Sequence, residues 1–342
     1  LGEIGNSSED RTIEIALGDS NWYVQWGTII ALGKMQHFEP LIEIVQSARS
    51  DLLPWIKNTL LNLKDGSNLQ PIIHMLGDED SQRRNEAVSL LTNIGIPNTA
   101  LLIDALSDEN WRVRYEITGI LGKIKDVRSI SHLVNLLNDS DLRVRQEAKE
   151  AIKNFGVQAL VHLNKILQSN PNNGHLKVRL IEVLGEIEES TEILIANLNS
   201  SEMTTRIAAI NGLGRIKSKE AFGELIHLLK RDTDLIPHIV DALSNFGTQS
   251  TVPLLELLLI PNPKIRGYVL SALSKIRDER TIPAISRLLH EDLSSEVRHL
   301  AVYVLGQIPS RNSANVLVNF LGELDLKFTE SVTDALGEIG VH

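Results

Sequence analysis

One short phrase recurs along the whole chain and constrains its fold more than any other feature. The sequence opens Leu1-Gly2-Glu3-Ile4-Gly5 and nearly closes Leu336-Gly337-Glu338-Ile339-Gly340. Taking the first apolar residue of the phrase as an anchor gives Leu1, Leu32, Leu60, Leu91, Leu121, Ile152, Leu184, Leu213, Leu243, Leu273, Leu305 and Leu336. Successive anchors are 28 to 32 residues apart, so twelve anchors enclose eleven periods. A fixed period of this length is the signature of stacked supersecondary units. After a partial repeat at 1–5, the repeats run approximately 6–35, 36–64, 65–95, 96–125, 126–156, 157–188, 189–217, 218–247, 248–277, 278–309 and 310–342. The expected domain organisation is a single solenoid over 1–342.

Each repeat reads as two helices. Apolar residues fall at −8, −4, −1, 0 and +3 from the anchor, as in Val144, Ala148, Ala151, Ile152 and Phe155. That spacing marks one stripe of an amphipathic helix, helix B. Position −11 is Asp, Asn or Glu in nine of eleven repeats, among them Asp80, Asn110, Asp141 and Asn262, and most of these suit a helix N-cap. A shorter apolar run before each cap, such as Ile130–Leu137, reads as helix A. Gly follows the anchor in seven of twelve cases. Because Gly inside a helix costs about 0.5–1 kcal/mol relative to Ala, its recurrence predicts close approach by a neighbouring helix. The fold class expected is all-α: a right-handed α-α superhelix of about eleven two-helix repeats.

Three places depart from the pattern. Asp51-Leu52-Leu53-Pro54 and Asp234-Leu235-Ile236-Pro237 put an apolar residue at the usual Arg position. With Asp51 and Asp234 as caps, Pro54 and Pro237 fall in the first helical turn, and helix B starts late. The third is the longer turn Asn170-Pro171-Asn172-Asn173-Gly174, expected to change the curvature. The partial first repeat and the uncapped last helix point to a segment of a longer protein.

Composition narrows the function. A net charge of −10 argues against nucleic acid as the main partner. The chain has no Cys, hence no disulfide, cysteine metal site or thiol nucleophile, which fits a cytoplasmic setting. No apolar run reaches the roughly 18 residues of a membrane span. No P-loop, nucleophile elbow or HExxH motif is present.

The Asp/Asn cap, the Arg seven residues before the anchor and the Leu-Gly-x-Ile ending together resemble the HEAT repeats of the phycobilisome-lyase type. Clear copies are Asn110 to Ile124, Asp141 to Phe155, Pro263 to Ile276 and Ser295 to Ile308. The Arg position holds Arg84, Arg114, Arg145, Arg206, Arg266 and Arg298, with Lys177 in one repeat. The resemblance implies a structural ladder for them, and a five-donor guanidinium suits such bridging. Acidic turns entering helix B and basic turns leaving it complement the helix dipole.

Trp22, Trp26, Trp111 and Tyr115 form one motif used twice, at −10 and −6, opposite the core stripe. Large aromatics on an exposed wall are suited to partner binding. The function expected is a non-catalytic protein-binding scaffold or sensor, its partner lying along the helix-B face. That partner is a protein, and other domains of the same polypeptide are candidates. The alternatives are a bilin lyase subunit, which the repeat type suggests, and a HEAT-like DNA-repair glycosylase, which the acidic balance opposes. No cofactor or metal is expected. Deoxyhypusine hydroxylase, a HEAT enzyme, holds two irons with several His-Glu pairs. This chain offers only His290-Glu291, an expectation against that activity.

Overall fold

The computed structural model describes residues 6–35, 37–44, 52–60, 69–95, 99–169, 174–321 and 328–340. The opening phrase Leu1–Gly5, the cap expected at Asp51 and residues 170–173 of the long turn lie outside these. Every described element is helical, and no strand occurs among the described residues. The chain divides into two compact units, Leu1–Ser169 and Asn170–His342.

The first unit contains α1 (Asn6–Leu17), α2 (Trp22–Met35), α3 (Glu39–Ile44), α4 (Leu53–Leu60), α5 (Gln70–Met75), α6 (Ser81–Ile94), α7 (Thr99–Asp104), α8 (Trp111–Ile124), α9 (Ile130–Leu136), α10 (Leu142–Phe155) and α11 (Val157–Ser169). Helices α2, α4, α6, α8 and α10 pack side by side in that order as the helix-B layer. The second unit contains α12 (Gly174–Leu184), α13 (Thr191–Asn197), α14 (Met203–Ile216), α15 (Lys219–Arg231), α16 (Ile236–Ser244), α17 (Thr251–Leu257), α18 (Pro263–Ile276), α19 (Ile282–Glu291), α20 (Ser295–Gln307), α21 (Arg311–Leu321) and α22 (Thr329–Gly340). Its helix-B layer is α12, α14, α16, α18, α20 and α22, again in sequence. Each unit is thus a stack of helical hairpins whose apolar faces are buried by their neighbours.

The buried residues of α10 are Val144, Ala148, Ala151, Ile152 and Phe155, the stripe read from the spacing. Caps form where the sequence places them. Asp80, Asn110, Asp141 and Asn262 each accept a hydrogen bond from the backbone N–H two residues on. Asp234 does not: it sits inside a 3-10 turn, Thr233–Leu235, and Leu235 precedes α16 without a side-chain cap. Pro237 does lie in the first turn of α16, so the late start holds while the cap assignment is corrected. The short turn consumes the residues that a regular repeat uses for its cap.

The glycine after the anchor has the packing reason expected. A Cβ built on Gly122 would lie 2.8 Å from Ala151 Cα, and one on Gly306 would lie 2.9 Å from Ala335 Cα. In both, the neighbour is the residue just before the next repeat's anchor. The bare backbone lets consecutive B helices touch, and the dispersion gained offsets the helix cost of Gly.

A second recurrence sits four residues after the anchor, where helix B ends. Gly95, Gly156 and Gly247 have positive φ there, and so do Lys125, Lys217 and Arg277, at φ 57°, 57° and 55°. The left-handed residue turns the chain out of the helix. For Lys and Arg it costs about 1 kcal/mol that Gly avoids.

Candidate functional site: a carboxylate and aromatic pocket on the helix-B layer

The ladder residues lie at equivalent places in successive repeats. Arg114 Nη1 donates to the carbonyls of Asp108 and Glu109 at 2.8 and 3.0 Å, and its Nε and Nη2 grip Asp139 of the next turn at 2.8 and 2.9 Å. Arg266 repeats this, to the Ile260 carbonyl at 2.9 Å and to Asp292 at 2.6 and 2.9 Å. Arg84 and Arg145 each bond two carbonyls of their own entry turn. Arg206 reaches the Ser200 carbonyl at 2.9 Å and lies 3.9 Å from Asp232. Arg206 and Arg298 each bury an Nε without a hydrogen-bond partner, and Arg298 differs in that its guanidinium lies 5.2 Å from the Phe328 ring.

The four aromatics separate into two places. Trp22 and Trp26 cluster with Tyr23 and Trp55, and Trp26 meets Trp55 edge-on at 5.8 Å. Trp111 and Tyr115, 6.5 Å apart, instead line a cavity of about 640 Å³ between α6, α8 and α10. Its floor holds Glu116 and Glu147, both half-buried, and its rim holds the exposed Arg143, Gln146 and Glu150. Arg143 lies flat over the Trp111 ring at 3.3 Å and is fixed by Asp141 at 2.7 and 3.0 Å. This stacking exploits the electron-rich ring face.

Burial raises the Glu147 carboxyl above the ordinary range, against the opposing hydrogen bond that the Tyr115 hydroxyl donates to it. The Tyr115 hydroxyl is raised in turn by the Glu147 charge, by burial and by that bond. Burial raises Glu116 as well, although Arg84 at 3.9 Å lowers it. Arg84, Arg112 and Lys149 line the cavity with Arg143, so four cations face Glu116, Glu147 and Glu150, and the upward shifts come from burial in the first place. Room for Glu147 comes from Gly119, where a Cβ would lie 2.7 Å from its Oε1. Sequence reading found Trp111 and Tyr115 and missed Glu116 and Glu147. The available signal was that position −5 is Glu in three successive repeats, as Glu86, Glu116 and Glu147.

The residues do not fit a two-iron centre. Among the described residues no three His, Asp or Glu side chains gather to hold a metal ion. His290 and Glu291 close α19, and the His290 ring packs edge-on against Phe320 at 5.3 Å. No helix among the described residues is long and apolar enough to cross a membrane.

Among curated proteins the chain is similar to deoxyhypusine hydroxylase of Arabidopsis thaliana, 25% identical over 202 residues that cover 57% of this chain. The match spans 64% of that enzyme's length. Solved structures with some likeness include human deoxyhypusine hydroxylase with glycerol, at TM-score 0.33 and 19% identity, covering 86% of this chain and 100% of that one. Another is Kap121p bound to Pho4p, at TM-score 0.48 and 13% identity, covering 98% of this chain and 46% of that one. The curated relative is an enzyme, which overturns the expectation of a non-catalytic scaffold. The physical reason for that error is that repeat spacing reports packing, whereas chemistry sits at positions the packing leaves open. Residues 69–153 and 237–302 match the family model for HEAT repeats, and these two stretches are accordingly HEAT repeats.

Proposed function

We propose that this protein is an enzyme that takes an amine-bearing substrate into the pocket of Trp111, Tyr115, Glu116 and Glu147. The observation that carries this reading is the pair of half-buried carboxylates, Glu116 and Glu147, set beside the rings of Trp111 and Tyr115 in one cavity. An ammonium entering between them would pair with both carboxylates, with Tyr115 offering a ring face to its methylenes while Arg143 keeps its place on Trp111. The similarity to an enzyme named deoxyhypusine hydroxylase supports a catalytic role. In this reading Glu147, held by Tyr115, accepts the proton that the bound ammonium gives up. A raised carboxyl is closer in proton affinity to such a task than an ordinary one. Hydroxylation is not assigned to these residues. The −7 arginines hold the stack, and Trp22 and Trp26 stand apart from the pocket as a separate contact surface. The Leu-Gly-x-Ile ending supports assigning the repeats to the phycobilisome-lyase subtype, without its bilin chemistry.

The test is calorimetric titration with N-acetyl-lysine methylamide, with the norleucine analogue as the uncharged control. The lysine probe is expected to bind saturably and the control not at all. Replacing both carboxylates, Glu116→Gln with Glu147→Gln, should weaken binding about tenfold or more, since a desolvated ion pair loses one partner. At about pH 5, near the upper edge of ordinary carboxyl titration, binding should release protons in the wild type, fewer in the Glu147→Gln variant, which keeps the raised Glu116, and none in the double variant. Equal binding of the two probes, or none of either, sinks the reading.

A further inference from the structure

Three of the chain's four tryptophans, Trp22, Trp26 and Trp55, gather with Tyr23 in one patch on α2 and α4. Trp22 lies 4.5 Å from Tyr23 and 6.1 Å from Trp26, ring centre to ring centre, and Trp55 closes the row. The patch is open to solvent, with Trp22 38% exposed, Tyr23 65% and Trp55 43%. Large aromatics gathered on an exposed face mark a contact site. A matching ring in the same unit shows what such a site holds. Trp22 opens α2, and the preceding Asn21 accepts from the Tyr23 N–H at 3.0 Å. Trp111 opens α8, and the preceding Asn110 accepts from the Arg112 N–H at 3.0 Å. The two indoles thus leave their helices at the same place in the repeat. On Trp111 sits the Arg143 guanidinium, supplied by the following repeat. Trp22 has no such cover. The position corresponding to Arg143 is Asp51 in the sequence, and among the described residues no Lys or Arg lies over any of the four rings of the patch.

We infer that this patch is the docking site for an arginine side chain of a partner protein segment. The guanidinium would lie flat on the Trp22 face that Tyr23 leaves open, as Arg143 lies on Trp111, and its methylene arm would pack against the neighbouring rings. A planar guanidinium stacks on an aromatic face and is more weakly hydrated than an ammonium, which favours arginine over lysine. Charge favours the same partner. Residues 1–60 carry eight acidic and four basic side chains. That excess attracts a cationic segment and repels an acidic one. The patch shares no residue with the substrate pocket proposed above and stands without it.

Fluorotryptophan labelling gives one fluorine signal per tryptophan, three from this patch and one from Trp111, assigned by single Trp→Phe replacements. N-acetyl-arginine methylamide is the probe, the smallest model of an arginine within a protein segment. It should shift the Trp22, Trp26 and Trp55 signals saturably. The citrulline analogue, of the same shape without the charge, should bind about fivefold more weakly, as loss of one exposed cation–ring contact implies. Trp22→Leu keeps an apolar side chain and removes the ring face. Read from Trp26 and Trp55, it should weaken the arginine probe about fivefold, while Trp22→Phe, which restores a ring, should recover part of that loss. Glu116→Gln with Glu147→Gln should leave the patch titration unchanged, which separates this result from failure of the substrate pocket. Patch signals that do not saturate, or that respond equally to arginine and citrulline, overturn the proposal. So does an arginine affinity indifferent to Trp22→Leu, or one lost with Glu116 and Glu147.

Discussion

Two stretches of the helix-B layers share a framework and differ in what they carry. In the first unit, α8 and α10 place Trp111 and Leu142 at −10, Tyr115 and Gln146 at −6, and Glu116 and Glu147 at −5. In the second unit, α18 and α20 place Pro263 and Ser295, Gly267 and His299, and Tyr268 and Leu300 at the same positions. The framework does not change: Arg114 grips Asp139 as Arg266 grips Asp292. Asp126 and Asp278 cap equivalent 3-10 turns, each fixed by the Arg two residues on. Positions −7, −1, 0 and +1 build the stack, and positions −10, −6 and −5 are left free to vary. The site occurs where the variable positions of adjacent repeats turn acidic and aromatic together.

The largest expected effect sharpens the shared half of this comparison. Arg114→Ala and Arg266→Ala each strand a nearly buried carboxylate and two or one backbone carbonyls. Each should cost about 3 kcal/mol in urea denaturation, the lower end for breaking a buried pair. Similar losses in the two units are expected, and a marked inequality would break the equivalence.

Acid probes the same equivalence more gently. Arg128 bonding holds Asp126 at about 2, and Arg280 bonding holds Asp278 at about 2. A folded-state value below the ordinary one, about 3.9 in the unfolded chain, stabilises the fold above that value. The contribution is lost as pH falls from about 4 through about 2, and amounts to roughly 1–2 kcal/mol per carboxylate. Asp126→Asn and Asp278→Asn should each flatten part of this acid limb in thermal melts recorded across that range.

The smallest effect concerns the left-handed exits. Lys125→Gly, Lys217→Gly and Arg277→Gly should each raise stability by about 0.5–1 kcal/mol, read as a higher denaturation midpoint. Arg277 should gain least, because its side chain also bonds Gln307 at 2.9 Å.

Much of the framework was legible in the sequence because it is local and periodic. The apolar stripe of α10, the Asn110 and Asp141 caps and the crowding at Gly122 all follow from residue type at a fixed offset. Lys125 and Arg277 were not legible as left-handed residues, since only glycines at the equivalent offset announce that conformation. Asp234 misled because an aspartate before a helix suits a cap, while the preceding chain had already turned. Glu116 and Glu147 were overlooked because a glutamate in a helix usually faces water. Their burial depends on side chains of adjacent helices, and a reading along one chain does not weigh lateral neighbours.

The contact at Gly122 has a consequence for how such a chain can grow. Gly122 against Ala151, Gly214 against Ala242 and Gly306 against Ala335 are the same coupling made three times. A repeat bearing a small residue before its anchor and a glycine after it presents both halves of that coupling. Such a repeat can be duplicated, deleted or exchanged with its interfaces intact, as a carriage is shunted in a train. Leu60, Leu91, Ile152, Leu243 and Leu273 are followed by Leu61, Thr92, Lys153, Ser244 and Ser274, so these five repeats lack the glycine half and cannot be exchanged on the same terms.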